Sequence, residues 1–164
     1  MALSIMHADL LRLLSYDPAT GIFRWREKMA HRVLPGAIAG KINVKGYRQI
    51  KIAQKWYYAH RLAWFYVTGA WPTNFIDHVN NLPADNRFCN LRDVTNSQNA
   101  WNSKRRKNNK CGYKWVFLRR GRFLAALRDG QRQVVLGSFT DPKTAFDVAI
   151  SYARTKHGAF MRAE

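Results

Sequence analysis

Residues 76–102 read IDHVNNLPADNRFCNLRDVTNSQNAWN, and the order of apolar, turn-forming and capping residues in this stretch constrains the fold more than any other feature of the chain. Phe75 and Ile76 lead into Asp77 and His78 at the end of a strand. A loop rich in Asn, Pro and Asp follows, and Leu91-Arg92-Asp93-Val94 returns as the second strand of a hairpin. Thr95 and Gln98 have the spacing of a capping box, in which the hydroxyl bonds forward to an orphan amide and the glutamine reaches back. A helix therefore begins there, with Asn99 in its first turns. The expected unit is strand, loop, strand, helix.

Charge narrows the partners. Lys and Arg number 28 against 10 Asp and Glu, a formal net charge of +18 in 164 residues, which is self-repulsive unless a polyanion neutralises it. Nucleic acid is the expected partner; RNA fits the charge as well, and double-stranded DNA is what the resemblances given below imply. A hydrophobic content of 47% is enough to bury a core and excludes wholesale disorder. No stretch approaches the length of apolar chain that crosses a bilayer, and His7, Asp9 and Arg12 interrupt the N-terminus before a signal-like core develops. The expectation is a soluble, cytoplasmic protein with no membrane partner. Cys89 and Cys111 have no CxxC pairing and read as two reduced thiols.

Residues 1–100 carry 13 basic and 6 acidic residues, residues 101–164 carry 15 and 4. Between the two regions runs Lys104-Arg105-Arg106-Lys107-Asn108-Asn109-Lys110, which has no apolar anchor and reads as an exposed linker over 104–110. The expected domains are 1–103 and 111–164. Lys104, Arg105, Arg106 and Lys107 are candidates for phosphate contact. Within the first domain a short helix is expected over Ala8–Ser15, a turn over residues 16–21, strands at Ile22–Trp25 and Gly46–Ile52, and a helix over Tyr58–Thr68 stopped by Gly69. Lys41, Lys45, Arg48, Lys51 and Lys55 fall in a β-rich platform over residues 22–56.

Hydrolysis of a phosphodiester requires a base to prepare water, a cation to stabilise the charged transition state, and geometry that aligns them. His78 is the natural base, since an imidazole of ordinary pKa is largely neutral at physiological pH. Asp77 and Asn99 are hard oxygen donors suited to Mg²⁺. Asn90 is placed to orient the imidazole. The plainer reading makes Asp77 a turn cap, His78 a surface imidazole and the asparagines loop residues.

Asp77-His78, Asn90 and Asn99, with Asn-Leu-Arg at 90–92 and Thr95 four residues before Asn99, resemble the HNH (ββα-metal) nuclease motif of phage-type homing endonucleases. His60-Arg61-Leu62-Ala63 also resembles the helix that such proteins place before the motif. The resemblance implies Asp77 and Asn99 as ligands of one divalent metal, His78 as general base and Asn90 as its orienting partner. Many members have His at the position of Asn99. The amide oxygen shifts the preference toward Mg²⁺ or Mn²⁺.

From Tyr113 onward three short apolar runs, Trp115–Leu118, Phe123–Leu127 and Val134–Leu136, are separated by Arg120-Gly121 and Asp129-Gly130, a three-stranded antiparallel meander. Asp141 and Pro142 open a helix whose Ala145, Phe146, Ala149, Ile150 and Ala153 share one face. On the second strand Arg122, Leu124, Ala126 and Arg128 alternate away from that core. This order resembles the Apetala/ethylene-response-factor DNA-binding domain. The resemblance implies DNA contacts from Arg128 first, with Arg119, Arg120, Arg122 and Gln133 as further candidates, while Ala126 and Val135 depart from its pattern.

The sequence thus describes an α+β protein: an N-terminal ββα-metal nuclease domain and a small three-stranded sheet packed on one helix. Its expected function is metal-dependent, homing-type DNA cleavage, nicking as a monomer, to 5′-phosphate and 3′-hydroxyl ends. The alternative is a non-catalytic, sequence-specific DNA-binding regulator that uses Arg128 and its neighbours but not Asp77, His78 or Asn99.

Overall fold

A computed structural model describes residues 5–31, 33–103, 108–130 and 132–158. Lys104, Arg105, Arg106 and Lys107 lie outside the described residues. The chain divides into two compact units, Met1–Val94 and Thr95–Glu164.

The first unit contains α1 (His7–Leu13), β1 (Leu14–Asp17), β2 (Ile22–Trp25), β3 (Lys41–Ile42), β4 (Arg48–Ile52), β5 (Lys55–Tyr58), α2 (Ala59–Thr68), β6 (Phe75–His78) and β7 (Leu91–Val94). Among the described residues its strands form three antiparallel groups, β1-β2, β3-β4-β5 and β6-β7. The first helix ends earlier than the apolar spacing suggests. Leu14 already has extended backbone (φ −127°, ψ 143°), and Leu14 and Tyr16 alternate into the core as β1 pairs with β2. The hairpin between them closes because the Asp17 carboxylate accepts bonds from Ala19 N (2.9 Å) and Thr20 Oγ1 (2.7 Å), and Gly21 takes φ +72°.

Leu10, Leu14, Phe23, Ile50, Leu62 and Ala63 are fully buried in one core. The α2 stripe of Ala59, Leu62, Ala63 and Phe65 faces that core, and Gly69 in the left-handed conformation stops the helix, its N–H bonding Phe65 O. Tyr58 is the residue preceding this helix rather than part of it.

The second unit contains α3 (Asn96–Asn102), β8 (Val116–Arg119), β9 (Arg122–Asp129), β10 (Arg132–Phe139) and α4 (Pro142–His157), with sheet order β10-β9-β8. The expected capping box starts α3: Thr95 N donates to Gln98 Oε1 (2.8 Å) and Gln98 N to Thr95 Oγ1 (3.3 Å). Asp141 caps α4 by accepting from Thr144 N at 2.6 Å, ahead of Pro142. Small residues let the helix approach closely, so Ala145 and Ala149 pack with Val116 and Ala125, all four fully buried. Arg120 (φ 51°) and Gly121 (φ 74°) form the two-residue turn between β8 and β9, as their hairpin requires. The fold is therefore mixed, with four α-helices among the described residues and several small antiparallel sheets.

Candidate functional site

The β6-β7 hairpin pairs Asp77 with Arg92 and His78 with Leu91. Alternation buries Ile76 and His78 and leaves Phe75 and Asp77 more exposed. His78 is only 4% exposed, and desolvation lowers its pKa below the ordinary imidazole value, opposed by the Asn86 hydrogen bond and the charges of Asp77 and Asp85. Burial thus favours the neutral ring.

Asn90, expected to orient this ring, points elsewhere. Its backbone carbonyl accepts from Val79 N at 2.9 Å, and its side chain turns back into the loop. There its Oδ1 accepts from Asn80 N (3.0 Å) while Nδ2 donates to Asn80 Oδ1 (3.0 Å) and Asp85 O (2.9 Å). Asn90 holds the loop shut, because it sits one residue before the strand that pairs with His78. The amide that meets the imidazole belongs to Asn86, whose Oδ1 lies 3.4 Å from His78 Nε2. Asn86 Nδ2 donates to Ala84 O at 3.0 Å, which orients the amide with its oxygen toward the ring. Nε2 then carries the proton and Nδ1 keeps the lone pair.

Distant residues set that loop. Tyr16 donates from its hydroxyl to Asn86 O (2.7 Å) and Phe88 N donates to Pro18 O (3.0 Å). A Cβ at Gly21 would collide with the backbone of Asn86 and Arg87, so the β1-β2 turn needs glycine for close approach as well as for its φ. At the outer edge the Arg87 hydrogen bond draws the Asp85 carboxyl down to about 2.

His60, from the first turn of α2, is a packed core histidine. Its ring lies 5.1 Å from that of His78, edge-on, and is stacked on Tyr58 at 5.3 Å, with Tyr47 5.5 Å away. Burial, then the charges of His78 and Arg61, lower its pKa to about 3.

Asp77 is engaged: its Oδ2 accepts from Arg92 Nε (3.0 Å) and Nη2 (2.8 Å), a pair shielded from solvent on both sides. The strand register that places them opposite is legible from the hairpin, yet the pair escapes a reading of Asp77 as a metal ligand alone. Asn99 lies in α3, half-buried, its N–H bonding Thr95 O at 2.9 Å. Among the described residues no group of three His, Cys, Asp or Glu gathers as a metal cage. Asp77 belongs to the first unit and Asn99 to the second, and Oδ2 of Asp77 is already shared with a guanidinium.

In the second unit Arg119, Arg122, Arg128 and Gln133 are exposed, and register pairs Arg119 with Arg122 and Gln133 with Arg128. They share the sheet face opposite the α4 core with Phe117 and Val135, both largely exposed. Arg120 lies in the turn. Arg122 is tied across the sheet to Ser138 Oγ (3.2 Å) and O (3.0 Å), whereas among the described residues no hydrogen bond or ion pair is seen for Arg128.

Residues 57–101 match the family model of HNH endonucleases, a segment that runs from β5 through α2 and the hairpin into α3. The match supports a nuclease and places the HNH region in the middle of the chain rather than at its N-terminus. No curated protein and no solved structure matches the chain. No helix among the described residues is long and apolar enough to cross a membrane.

Proposed function

We propose that this chain is a metal-dependent DNA endonuclease of homing type, phage-derived, acting as a monomer that nicks duplex DNA. The observation that carries the reading is His78, buried at the end of β6 with Nε2 3.4 Å from Asn86 Oδ1 and with a pKa lowered by burial; the Asn86 oxygen favours the tautomer with its lone pair on Nδ1. In this mechanism Nδ1 of His78 takes the proton of a water whose oxygen attacks phosphorus. The new P–O bond forms as the bond to the 3′ oxygen breaks and that oxygen takes a proton from solvent, leaving a 5′-phosphate and a 3′-hydroxyl. A divalent ion, Mg²⁺ or Mn²⁺, held by Asp77 and Asn99 would neutralise charge on the phosphate. Asn90 keeps the loop closed, and Asn86 sets the tautomer.

The C-terminal unit supplies affinity and register. Its sheet-on-helix architecture and exposed arginines support an Apetala/ethylene-response-factor-like role in which Arg128 leads, followed by Arg119, Arg120, Arg122 and Gln133, with Lys104, Arg105, Arg106 and Lys107 tracking phosphate. The Asp77–Arg92 ion pair is the observation that favours the second reading, a non-catalytic DNA-binding regulator whose hairpin is scaffold.

Product ends test the chemistry. Nicked plasmid recovered from the reaction is expected to be resealed by DNA ligase without prior treatment, because ligase requires adjoining 5′-phosphate and 3′-hydroxyl groups. Nicks that reseal only after phosphatase and kinase treatment would contradict the proposed direction of bond cleavage.

A further inference from the structure

Residues 28–76 contain no Asp or Glu and eight Lys or Arg. All of β3, β4 and β5 lies within this stretch, and the register sorts their side chains. Lys41 pairs with Gln49, Gln49 with Tyr58, and Lys51 with Trp56. These five therefore share one sheet face, whereas Ile50 and Ile52 on the opposite face are buried in the core. The outer face is wet yet aromatic: Trp56 is 45% and Tyr58 38% exposed. The Lys41 ammonium sits over the Trp56 ring, 4.9 Å from its centroid, which holds the charge at the surface of the sheet rather than letting it sweep through solvent. At its edge the face is continuous with the candidate base, since Tyr58 stacks on His60 and His60 meets His78.

We infer that the outer face of the β3-β4-β5 sheet binds the phosphate backbone of duplex DNA, with Lys41 and Lys51 as the phosphate contacts and Trp56 and Tyr58 as the surface against which the sugar-phosphate chain lies. Charge complementarity selects the partner: a cationic face with no acidic residue in its stretch suits a polyanion. Its continuity with His78 favours DNA over the other common anionic surface, a phospholipid bilayer. The choice of DNA as partner rests on the proposed function, whereas the inference itself concerns binding and is read without cleavage, so that either can fail alone.

Binding of the full chain to a fluorescent 30-base-pair duplex, followed by anisotropy in EDTA from 50 to 200 mM KCl, tests it without cleavage. Each phosphate contact contributes about 0.9 to the slope of log K against log salt, so Lys41→Gln/Lys51→Gln is expected to flatten the slope by roughly 2 and to weaken binding at 100 mM salt by about tenfold or more. The matched charge change Lys143→Gln/Lys156→Gln, on exposed α4 positions, is expected to leave the slope unchanged. Both substituted pairs are solvent-exposed, so folding is retained, and far-ultraviolet circular dichroism verifies it. Equal slopes in wild type and both double variants overturn the inference. So does a Lys41/Lys51-dependent capture of the protein by phosphatidylserine vesicles with the DNA slope unaltered.

Discussion

Replacing His78 by alanine is expected to slow DNA cleavage by about 10²–10⁴-fold, the contribution of a positioned general base, while DNA affinity changes by less than about twofold. The split between rate and affinity distinguishes a base from a structural histidine. A core histidine that served only packing would, on removal, weaken folding and binding together. The acid limb of the rate carries a second signature. Only the neutral imidazole accepts a proton, and burial lowers its pKa, so activity is full above the ordinary imidazole range and falls only as pH drops through a value below 6.5. Single-turnover rates of wild type and variant on one duplex, measured from pH 5 to 8, check both parts. A His78→Ala protein that cuts at the wild-type rate removes His78 from the chemistry.

Acid lability is the second large effect. His60 has a folded pKa of about 3 against 6.5 for the exposed side chain, so between those values the unfolded chain binds a proton that the folded chain does not. Its contribution is fully present above pH 6.5 and is lost as pH falls, at roughly 1.4 kcal/mol per pH unit. From pH 6.5 to 4.5 that amounts to about 2–3 kcal/mol, a sizeable share of a typical domain's 5–15 kcal/mol, and His78 adds in the same direction. The lowered carboxyls of Asp17, Asp85 and Asp141 lose stability only as pH falls below the ordinary carboxylate range, outside this window. Urea unfolding at several pH values is expected to show the slope, and His60→Phe, which keeps a ring against Tyr47 and Tyr58, to flatten it by one proton's worth. The same slope in both proteins would contradict a neutral, buried His60.

Local rules were readable and long-range ones were not. The capping box at Thr95 and Gln98, the Arg120-Gly121 turn and the Asp141-Pro142 helix start depend on neighbours within a few residues, and each forms as the sequence predicts. β1 escaped notice because Leu10 and Leu14 suit both a helical stripe and an inward strand position, and pairing with β2 decides between them. The hairpin was legible, the contacts around its histidine only in part. Asp77 and His78 follow from the strand-end pattern, whereas the exchange of Asn90 for Asn86 as the imidazole's partner depends on Tyr16, Pro18 and Gly21, some 70 residues away in sequence. Asn86 looks like any other loop asparagine until its burial is seen. The outer face of β3-β4-β5 was visible as a run of lysines, but only the register separates Lys41 and Lys51 from Arg48, which bonds to Ala39 O and Gly40 O.

The most direct measurement incubates the purified full chain with supercoiled plasmid in Mg²⁺, in Mn²⁺ and in excess EDTA, and resolves the forms on a gel. Relaxed circles that accumulate with either ion and vanish with the chelator are the expected result. Plasmid that stays supercoiled under every condition, while the same preparation shifts its mobility by binding, would show a protein that grips DNA without cutting it.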